Sequence, residues 1–232
     1  MGKSHLKRIA APKTWDVRRK TNKFIARPMP GPHSLKASLT INFLLRNVLQ
    51  CAKTTKEIKL ILANNSILID KKSRKEYKYP VGFMDVVELP STKEYYRMLY
   101  NHKGKLKLIN IDSKESKLKL LKVINKSIIK KGKIQITFHD GRNMLLDKFD
   151  GKVGDTVIFN FKSKQIEKVL KLEKDALIYL IYGKHTGTFG SVKEIIPVKG
   201  FEKQRLVYII DGVDTETLKD YVFVVDKGLI AI

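Results

Sequence analysis

The sequence has little cysteine and no long apolar run. Its 232 residues include a single cysteine, Cys51, which excludes an internal disulfide and a zinc site built on a cysteine pair. No stretch of about 18 apolar residues is present, and the N-terminus has no apolar signal core. We therefore expect neither a membrane span nor secretion, and we expect a cytoplasmic protein.

Catalytic signatures are also missing from the sequence. The five histidines are scattered and no two stand at metal-ligand spacing; they are His5, His33, His102, His139 and His185. Ser191 follows a glycine but lacks the Gly-x-Ser-x-Gly elbow of esterases, and the Gly-Lys-Ser/Thr ending of a phosphate-binding loop does not occur. The sequence predicts no enzyme, no metal site and no cofactor.

Acidic residues are few compared with basic ones, 23 against 47, which gives a net charge of +24. Residues 1–37 hold 10 basic and 1 acidic side chains, and residues 38–105 hold 13 and 6. Residues 106–175 hold 17 and 9, whereas residues 176–232 hold 7 of each. A charge this large favours a polyanionic partner, and we expect contact through the first three-quarters of the chain.

Residues 1–37 are expected to form an extended basic arm. Four of the seven prolines fall there and prevent a regular helix or strand over most of its length: Pro12, Pro28, Pro30 and Pro32. A solvated disordered tail is the alternative. Interleaved apolar residues argue against that alternative: Ile9, Trp15, Val17, Phe24 and Ile25. Trp15 either stacks on a base or docks on the protein's own surface.

Residues 38–105 read as two helices followed by a hairpin. Apolar residues recur at helical spacing from Ile41 to Ala52, and Thr54 with Glu57 forms a capping box that starts a second helix ending near Asn64. Alternating apolar residues then flank a turn at residues 70–73. This order resembles the small RNA-binding module shared by ribosomal protein four, pseudouridine synthases and bacterial tyrosyl-tRNA synthetases.

The remaining chain is predicted to be β-rich. In residues 106–175 a short helix near Glu115 precedes strands separated by turn signals at Lys131-Gly132, Asp140-Gly141 and residues 151–154, which favour hairpins. From Leu177 the last segment, residues 176–232, reads LIYLIYGKHTGTFGSVKEI, in which three glycines lie between two strands. Such a loop approaches either its own barrel or a nucleic-acid backbone. It resembles the KOW motif of ribosomal and transcription-elongation proteins, and we expect it to contact RNA or protein locally.

Four segments together resemble one ribosomal family. They are HLKRIAAPKTWDVRR at residues 5–19, GPHSLKASL at 31–39, FLLRNVLQCA at 43–52 and YPVGFMDVVEL at 79–89. With the KOW-like segment, they are similar to the small-subunit ribosomal protein four family of the eukaryotic and archaeal type. The short C-terminus resembles archaeal members. A KOW-containing transcription-elongation or translation-control factor is the alternative, and an RNA-modifying enzyme is disfavoured because no segment remains for a catalytic domain.

The resemblance implies an α+β multidomain protein with four parts. These are the extended basic arm at 1–37, the helix-helix-hairpin RNA-binding module at 38–105, a central β-rich domain at 106–175 and a KOW-type SH3-like β-barrel at 176–232. It further implies a cytoplasmic structural component of the small ribosomal subunit, which binds ribosomal RNA and neighbouring ribosomal proteins and no membrane, with its arm threaded between RNA helices.

The residues expected to contact RNA are the cations of the arm and module together with three aromatic or imidazole side chains. In the arm they are Lys3, His5, Lys7, Arg8, Lys13, Trp15, Arg18, Arg19, Lys20, Lys23, Arg27, His33 and Lys36. In the module they are Arg46, Lys53, Lys56, Lys59, Lys71, Lys72, Arg74 and Lys75. The loop of the KOW-like segment comprises Gly183, Lys184, His185, Gly187 and Gly190. Any one of these lysines alone could serve solubility, and the clustering favours RNA contact.

Overall fold

The structure, a computed structural model, describes residues 5–18, 20–64, 66–197 and 202–226, with Lys131 described by its main chain. Within these residues the protein is mostly antiparallel β-sheet in several sheets with two short α-helices, so the α+β expectation is met only in part, with far less helix than predicted. The chain divides into two compact units, Met1–Tyr100 with Lys105–Ser116 and Asn101–Gly104 with Lys117–Ile232. The division into four segments stays a prediction.

In its described residues, the first unit contains nine strands and both α-helices. The strands are β1 (Leu6–Lys7), β2 (Phe24–Ile25), β3 (Ser38–Thr40), β4 (Leu68–Ile69), β5 (Lys72–Ser73), β6 (Pro80–Gly82), β7 (Val86–Leu89), β8 (Glu94–Tyr100) and β9 (Leu106–Asn110); the helices are α1 (Ile41–Phe43) and α2 (Thr55–Ala63). A five-stranded sheet has the order β5-β4-β7-β8-β9, and β1-β2 and β3-β6 form two-stranded sheets. The buried faces of α1 and α2 contribute Ile41, Phe43, Ile58 and Leu62 to the core.

The two helices match the sequence prediction to different degrees. The capping box of Thr54 and Glu57 is confirmed, and α2 ends one residue before Asn64, close to the predicted end. The predicted helix over 41–52 is wrong in extent, because α1 passes into a π-helical segment at Leu44–Val48 and then stops. Gln50 has a φ of +55°, in the left-handed region. A left-handed residue cannot continue a right-handed helix, so the helical structure ends although the apolar periodicity of the sequence continues to Ala52.

The predicted turn after α2 is confirmed by the pairing of β4 with β5. Leu68 pairs with Ser73 and Ile69 with Lys72, which leaves Asp70 and Lys71 as a two-residue loop. Both loop residues have positive φ, +50° and +62°, as a type I′ turn requires to match the twist of its strands. The Asp70 carboxylate also accepts a hydrogen bond of 3.0 Å from the backbone N–H of Val86, which ties the turn to β7.

The described residues of the second unit form two five-stranded antiparallel sheets. The first has the order β12-β11-β10-β13-β14 and the second β18-β17-β16-β15-β19. Their strands are β10 (Leu118–Ile128), β11 (Ile134–Phe138), β12 (Asn143–Leu146), β13 (Thr156–Asn160), β14 (Gln165–Leu170), β15 (Leu177–Leu180), β16 (Phe189–Ile196), β17 (Arg205–Ile210), β18 (Val213–Leu218) and β19 (Val222–Val224). Each sheet packs around its own cluster, with Leu121, Val157 and Phe138 in the first and Ile178, Leu206 and Tyr208 in the second.

Two of the three predicted hairpin turns in the central segment are confirmed. Lys131-Gly132 lies in a 3₁₀ turn at Lys130–Gly132 between β10 and β11, and Asp140-Gly141 joins β11 to β12. Residues 151–154 do not form a hairpin, because β13 pairs with β10 and not with β12. The expected short helix near Glu115 is a 3₁₀ turn at Glu115–Lys117.

Asp140 belongs to a buried charge cluster. Its carboxylate lies 3.1 Å from Nζ of Lys119, which is fully buried, and 2.9 Å from Nε of Arg142. Burial alone would raise the pKa of this carboxyl, but the charges of Lys119, His139 and Arg142 outweigh burial and lower the pKa. The turn is therefore held by paired charges, and its histidine and aspartate serve the packing of the second unit.

Candidate nucleic-acid interface

The middle of the arm is anchored to the first unit by Trp15. The indole is only 4% exposed and its ring centroid lies 5.3 Å from that of Phe43, tilted by 50°. Nearby, the backbone N–H of Leu106 donates a 2.9 Å hydrogen bond to the carbonyl of Thr14. Of the two alternatives for Trp15, the structure shows docking on the protein's own surface. A buried indole cannot stack on a base, so Trp15 is removed from the set of RNA-contacting residues.

The start of the arm is held by pairing within the arm itself. In the β1–β2 pair Leu6 lies opposite Ile25 and Lys7 opposite Phe24, and the N–H of Arg8 donates to the carbonyl of Lys23 at 3.0 Å. Leu6 points inward and is buried. The short ladder therefore leaves the side chains of the neighbouring cations at the surface.

Most cations of the arm are exposed. Lys7, Lys13, Arg18, Lys20, Lys23 and Lys36 are exposed, while Arg8 and Arg27 are half-buried. The one acidic residue of the arm, Asp16, is ion-paired with Lys105, which neutralises that carboxylate locally. Lys3 and Arg19 lie outside the described residues. The described part of the arm thus presents a strongly cationic surface.

The cations of the helices and hairpin are also at the surface, and several lie over aromatic rings. Lys53, Lys56, Lys59, Lys71, Lys72 and Lys75 are exposed, and Arg46 and Arg74 are half-buried. Nζ of Lys59 lies 5.1 Å from the ring centroid of Tyr77, and the guanidinium of Arg74 lies 4.4 Å from that of Tyr79. Lys71 is ion-paired with Glu88, so less of its charge is available to a phosphate than that of the neighbouring lysines.

A groove of about 830 Å³ lies between the arm and the first helical segment, and we call it the arm groove. Four predicted cations meet there, Arg18, Arg27, Arg46 and Lys53, together with His5. None of the described residues that line the arm groove carries a carboxylate. The sequence patterns did not indicate the other polar residues of the groove, which are Thr21, Asn22, Asn42, Asn47, Gln50, Thr55, Tyr77 and Lys78. Their clustering could not be seen, because the arm and the helices are far apart in sequence.

A carboxylate close to the arm groove is directed at the backbone. Glu57 accepts hydrogen bonds from the backbone N–H of Lys53 at 2.9 Å and from the hydroxyl of Thr54 at 2.9 Å. The bond from Lys53, and then that from Thr54, lower the pKa of Glu57. The carboxylate therefore stays ionised while it caps α2, and its charge is oriented toward the helix terminus.

Comparisons with known proteins identify the family. The profile described as Ribosomal family S4e matches residues 92–166, and the RS4NT (NUC023) domain profile matches residues 1–36. The chain is 39% identical over 231 residues to the small ribosomal subunit protein eS4 of Methanocaldococcus jannaschii, covering 96% of this chain and 94% of the relative. The eS4 protein of Methanothermobacter thermautotrophicus is 38% identical over 226 residues, covering 97% and 93%. The chain belongs to the ribosomal S4e family.

A solved structure agrees with this assignment to the S4e family. The crystal structure of the 30S ribosomal protein S4e from Thermoplasma acidophilum matches with a TM-score of 0.70 and 31% sequence identity, covering 82% of this chain and 95% of that one. The multi-sheet β architecture is therefore shared with an S4e protein. The S4e family is one of ribosomal structural proteins, which agrees with the expectation of a non-enzyme.

His33 of this S4e chain is not available to RNA. Its side chain is 4% exposed, and Nε2 lies 3.0 Å from one carboxylate oxygen of Asp85. The same carboxylate accepts a 2.8 Å hydrogen bond from the N–H of Gly82, and a Cβ on Gly82 would come within 2.3 Å of the imidazole. The histidine therefore fastens the end of the arm to β6, and it too is removed from the RNA-contacting set.

The glycine loop of this S4e chain packs against its own unit at two points. Gly187 has a φ of +81°, and a Cβ there would lie 2.3 Å from the carbonyl oxygen of Asn101. A Cβ on Gly190 would lie 2.9 Å from the carbonyl oxygen of Ile209 on β17. Of the two alternatives for these glycines, close approach to the protein's own backbone accounts for both positions. Lys184 remains exposed at the loop surface and His185 is half-buried.

In the described part of this S4e chain, no helix has the length and apolar character needed to cross a membrane. Among the same residues no group of three or more histidine, cysteine, aspartate or glutamate side chains is placed to hold a metal ion.

Proposed function

We propose that this protein is a structural component of the small ribosomal subunit that binds and stabilises small-subunit ribosomal RNA. The observation that carries the proposal is the surface of the first unit, where cations of the arm and of residues 46–53 line a groove that has no carboxylate among its described lining residues. The relatives named small ribosomal subunit protein eS4 support the same function. The site is cytoplasmic, and neighbouring ribosomal proteins are the further partners.

Counterion release is the physical basis for such binding. Each phosphate neutralised by lysine or arginine releases condensed counterions, and this release drives association at low salt. The arm is already anchored through Trp15 and paired through β1 and β2, so it loses less conformational entropy on binding than a free tail would. A pre-anchored arm therefore leaves more of the phosphate-binding free energy available as affinity.

Two parts of the fold support more specific functional assignments. The order α1, π-helical segment, α2 and β4–β5 hairpin supports an RNA-binding module like that of ribosomal protein four. Strands β15 to β19 with the intervening glycine loop support a KOW-type SH3-like barrel. Because Gly187 and Gly190 face the backbone of their own unit, we propose that the exposed Lys184 and the half-buried His185 make any local contact with RNA or protein.

The test is a salt titration of binding to transcripts of small-subunit ribosomal RNA. If about 6 to 10 phosphates are neutralised, affinity should fall by roughly 10³ to 10⁵ between 50 and 200 mM salt. Replacing Lys13 and Lys36 together by glutamine should reduce the slope of log affinity against log salt by about 1 to 2. A salt-independent affinity would refute the proposal.

The matched control for the salt titration removes two cations from the second unit. Lys193 and Lys203 are ion-paired with Asp214 and Asp220, so their replacement by glutamine should leave the salt slope unchanged. Sedimentation then tests residence in the particle, because a structural component should co-sediment with free small subunits. Loss of the protein from small subunits at low salt would contradict the proposal.

A further inference from the structure

The arm groove has the composition of a nucleotide site. Cations, amides and aromatic rings converge in it from the arm, from the end of the helical segment and from the stretch before β6. Its volume of about 830 Å³ falls in the range of about 300 to 1,000 Å³ that is typical of sites for small organic ligands. A flat cationic surface that only follows a phosphate backbone needs neither amides nor a concave shape.

Phe24 provides an exposed aromatic face at the groove. The ring is 47% exposed although it lies in the β1–β2 pair, and the imidazole of His5 meets it edge-on at 5.3 Å with an interplanar angle of 84°. Nζ of Lys23 lies 5.6 Å from its centroid. The strand and the imidazole thus hold a large apolar ring in place at the surface beside an ammonium group, an arrangement suited to stacking a base near its phosphate.

The amides supply what a base edge requires. Asn22, Asn47 and Gln50 line the groove and are exposed, and each amide offers both a donor and an acceptor. Donor–acceptor pairs of this kind recognise the edges of unpaired bases, which A-form helices hide from side chains. The amide of Asn42 is already hydrogen-bonded within the protein, since its Nδ2 donates to the hydroxyl of Thr55 at 3.1 Å.

The backbone of residues 44–50, on the helical side of the arm groove, is unusual. Leu44–Val48 is π-helical and Gln50 has a φ of +55°. Isolated π-helical turns and left-handed non-glycine residues occur preferentially at functional sites, where they direct side chains that regular geometry would place elsewhere. Here they place Asn47 and Gln50 at the groove together with Arg46, and the cation can meet a phosphate while the amides face a base.

We propose that the arm groove binds a single unpaired nucleotide displaced from an RNA helix, with its base on Phe24 and its phosphate beside Arg46 and Lys53. This inference rests on the proposed function and specifies the RNA element that the first unit recognises. Continuous duplex would then contact the outer cations of the arm and α2, and the groove would distinguish a bulge or loop from a regular helix.

The experiment compares two RNA hairpins that differ by one bulged adenosine in the stem. Full-length protein should bind the bulged hairpin more tightly than the fully paired one. Phe24→Ala should weaken binding to the bulged hairpin by about 5- to 100-fold, the range seen when one base loses its aromatic stacking partner, while binding to the paired hairpin should change less than twofold. Phe24→Trp should restore the preference.

A second readout detects stacking itself. With 2-aminopurine at the bulged position, binding of the wild-type protein should change its fluorescence through contact with Phe24, and Phe24→Leu, which keeps an apolar side chain without a flat ring, should abolish that change. Ile9→Ala is the matched control, because Ile9 is a 90% exposed apolar residue of the same arm outside the groove. This control should behave as wild type in both measurements.

The outcomes separate the two proposals. Salt-dependent binding of both hairpins without preference for the bulge, or equal losses for both with Phe24→Ala, would refute the nucleotide site and leave the proposed function intact. Absence of salt-dependent binding to either hairpin and to ribosomal RNA would refute the proposed function itself. Circular dichroism should show that Phe24→Ala stays folded, since the ring is half exposed.

Discussion

Raising the pH from 7.5 to 9.5 should stabilise the second unit through the buried amine of Lys122. This lysine is 8% exposed on β10, and its Nζ donates hydrogen bonds to the carbonyl oxygens of Lys219 at 3.1 Å, Asp220 at 3.0 Å and Val222 at 2.6 Å. Burial lowers the pKa of Lys122 from 10.5 to about 8; the carboxylate of Asp220 opposes this shift and the ammonium of Lys219 adds to it.

The direction in which the free energy of unfolding changes with pH depends on which state, folded or unfolded, binds the proton of Lys122. Below pH 8 both the folded and the unfolded chain hold it, so Lys122 adds no pH dependence there. Between pH 8 and 10.5 the folded state releases the proton while the unfolded chain retains it, so the free energy of unfolding rises with pH. For a folded pKa of about 8, linkage predicts a gain of about 2 kcal/mol between pH 7.5 and 9.5.

The assay is urea unfolding followed by far-ultraviolet circular dichroism at pH 7.5 and 9.5. Other lysines also titrate in this range, so the informative quantity is the difference between wild type and Lys122→Met, in which the pH-dependent gain should be absent. Lys126→Met on the same strand is the control, because that ammonium also donates to two carbonyls but its side chain is exposed. The same pH dependence in wild type and Lys122→Met would refute the reasoning and show that the three carbonyls keep Lys122 protonated.

Two further substitutions test packing, one in each unit. Trp15→Ala should lower the free energy of unfolding by about 3 to 5 kcal/mol, because the buried indole packs on Phe43; an unchanged urea midpoint would mean that the arm is not docked. Gly187→Ala should lower the thermal midpoint more than Gly212→Ala: both have φ near +80°, but only at Gly187 would the Cβ meet a backbone oxygen, that of Asn101, at 2.3 Å. Equal losses would contradict the proposed close approach.

Local sequence patterns predicted the features that depend on neighbouring residues. The capping box of Thr54 and Glu57 and the turn at Asp70 are each set by side chains a few residues apart, and both are confirmed. The concentration of positive charge in the first three-quarters is likewise a property of the sequence alone, since folding does not change the number of lysines.

Long-range packing decided the features that the sequence left open or placed wrongly. His33 looked like one more member of a basic arm, yet Asp85, 52 residues away, and the missing Cβ of Gly82 bury it. The π-helical segment and the left-handed Gln50 end the first helix where the apolar pattern still continues.

The sequence by itself determined that this chain is a cationic, β-rich protein with an arm that carries apolar anchors. Only the tertiary structure decided which arm residues are anchors and which are free to meet a partner. The arm groove shows why: its walls come from residues 5–27, 42–55 and 77–78, and no local pattern records that these stretches meet. Burial and proximity depend on contacts between distant parts of the chain, so they appear only when the whole core is formed.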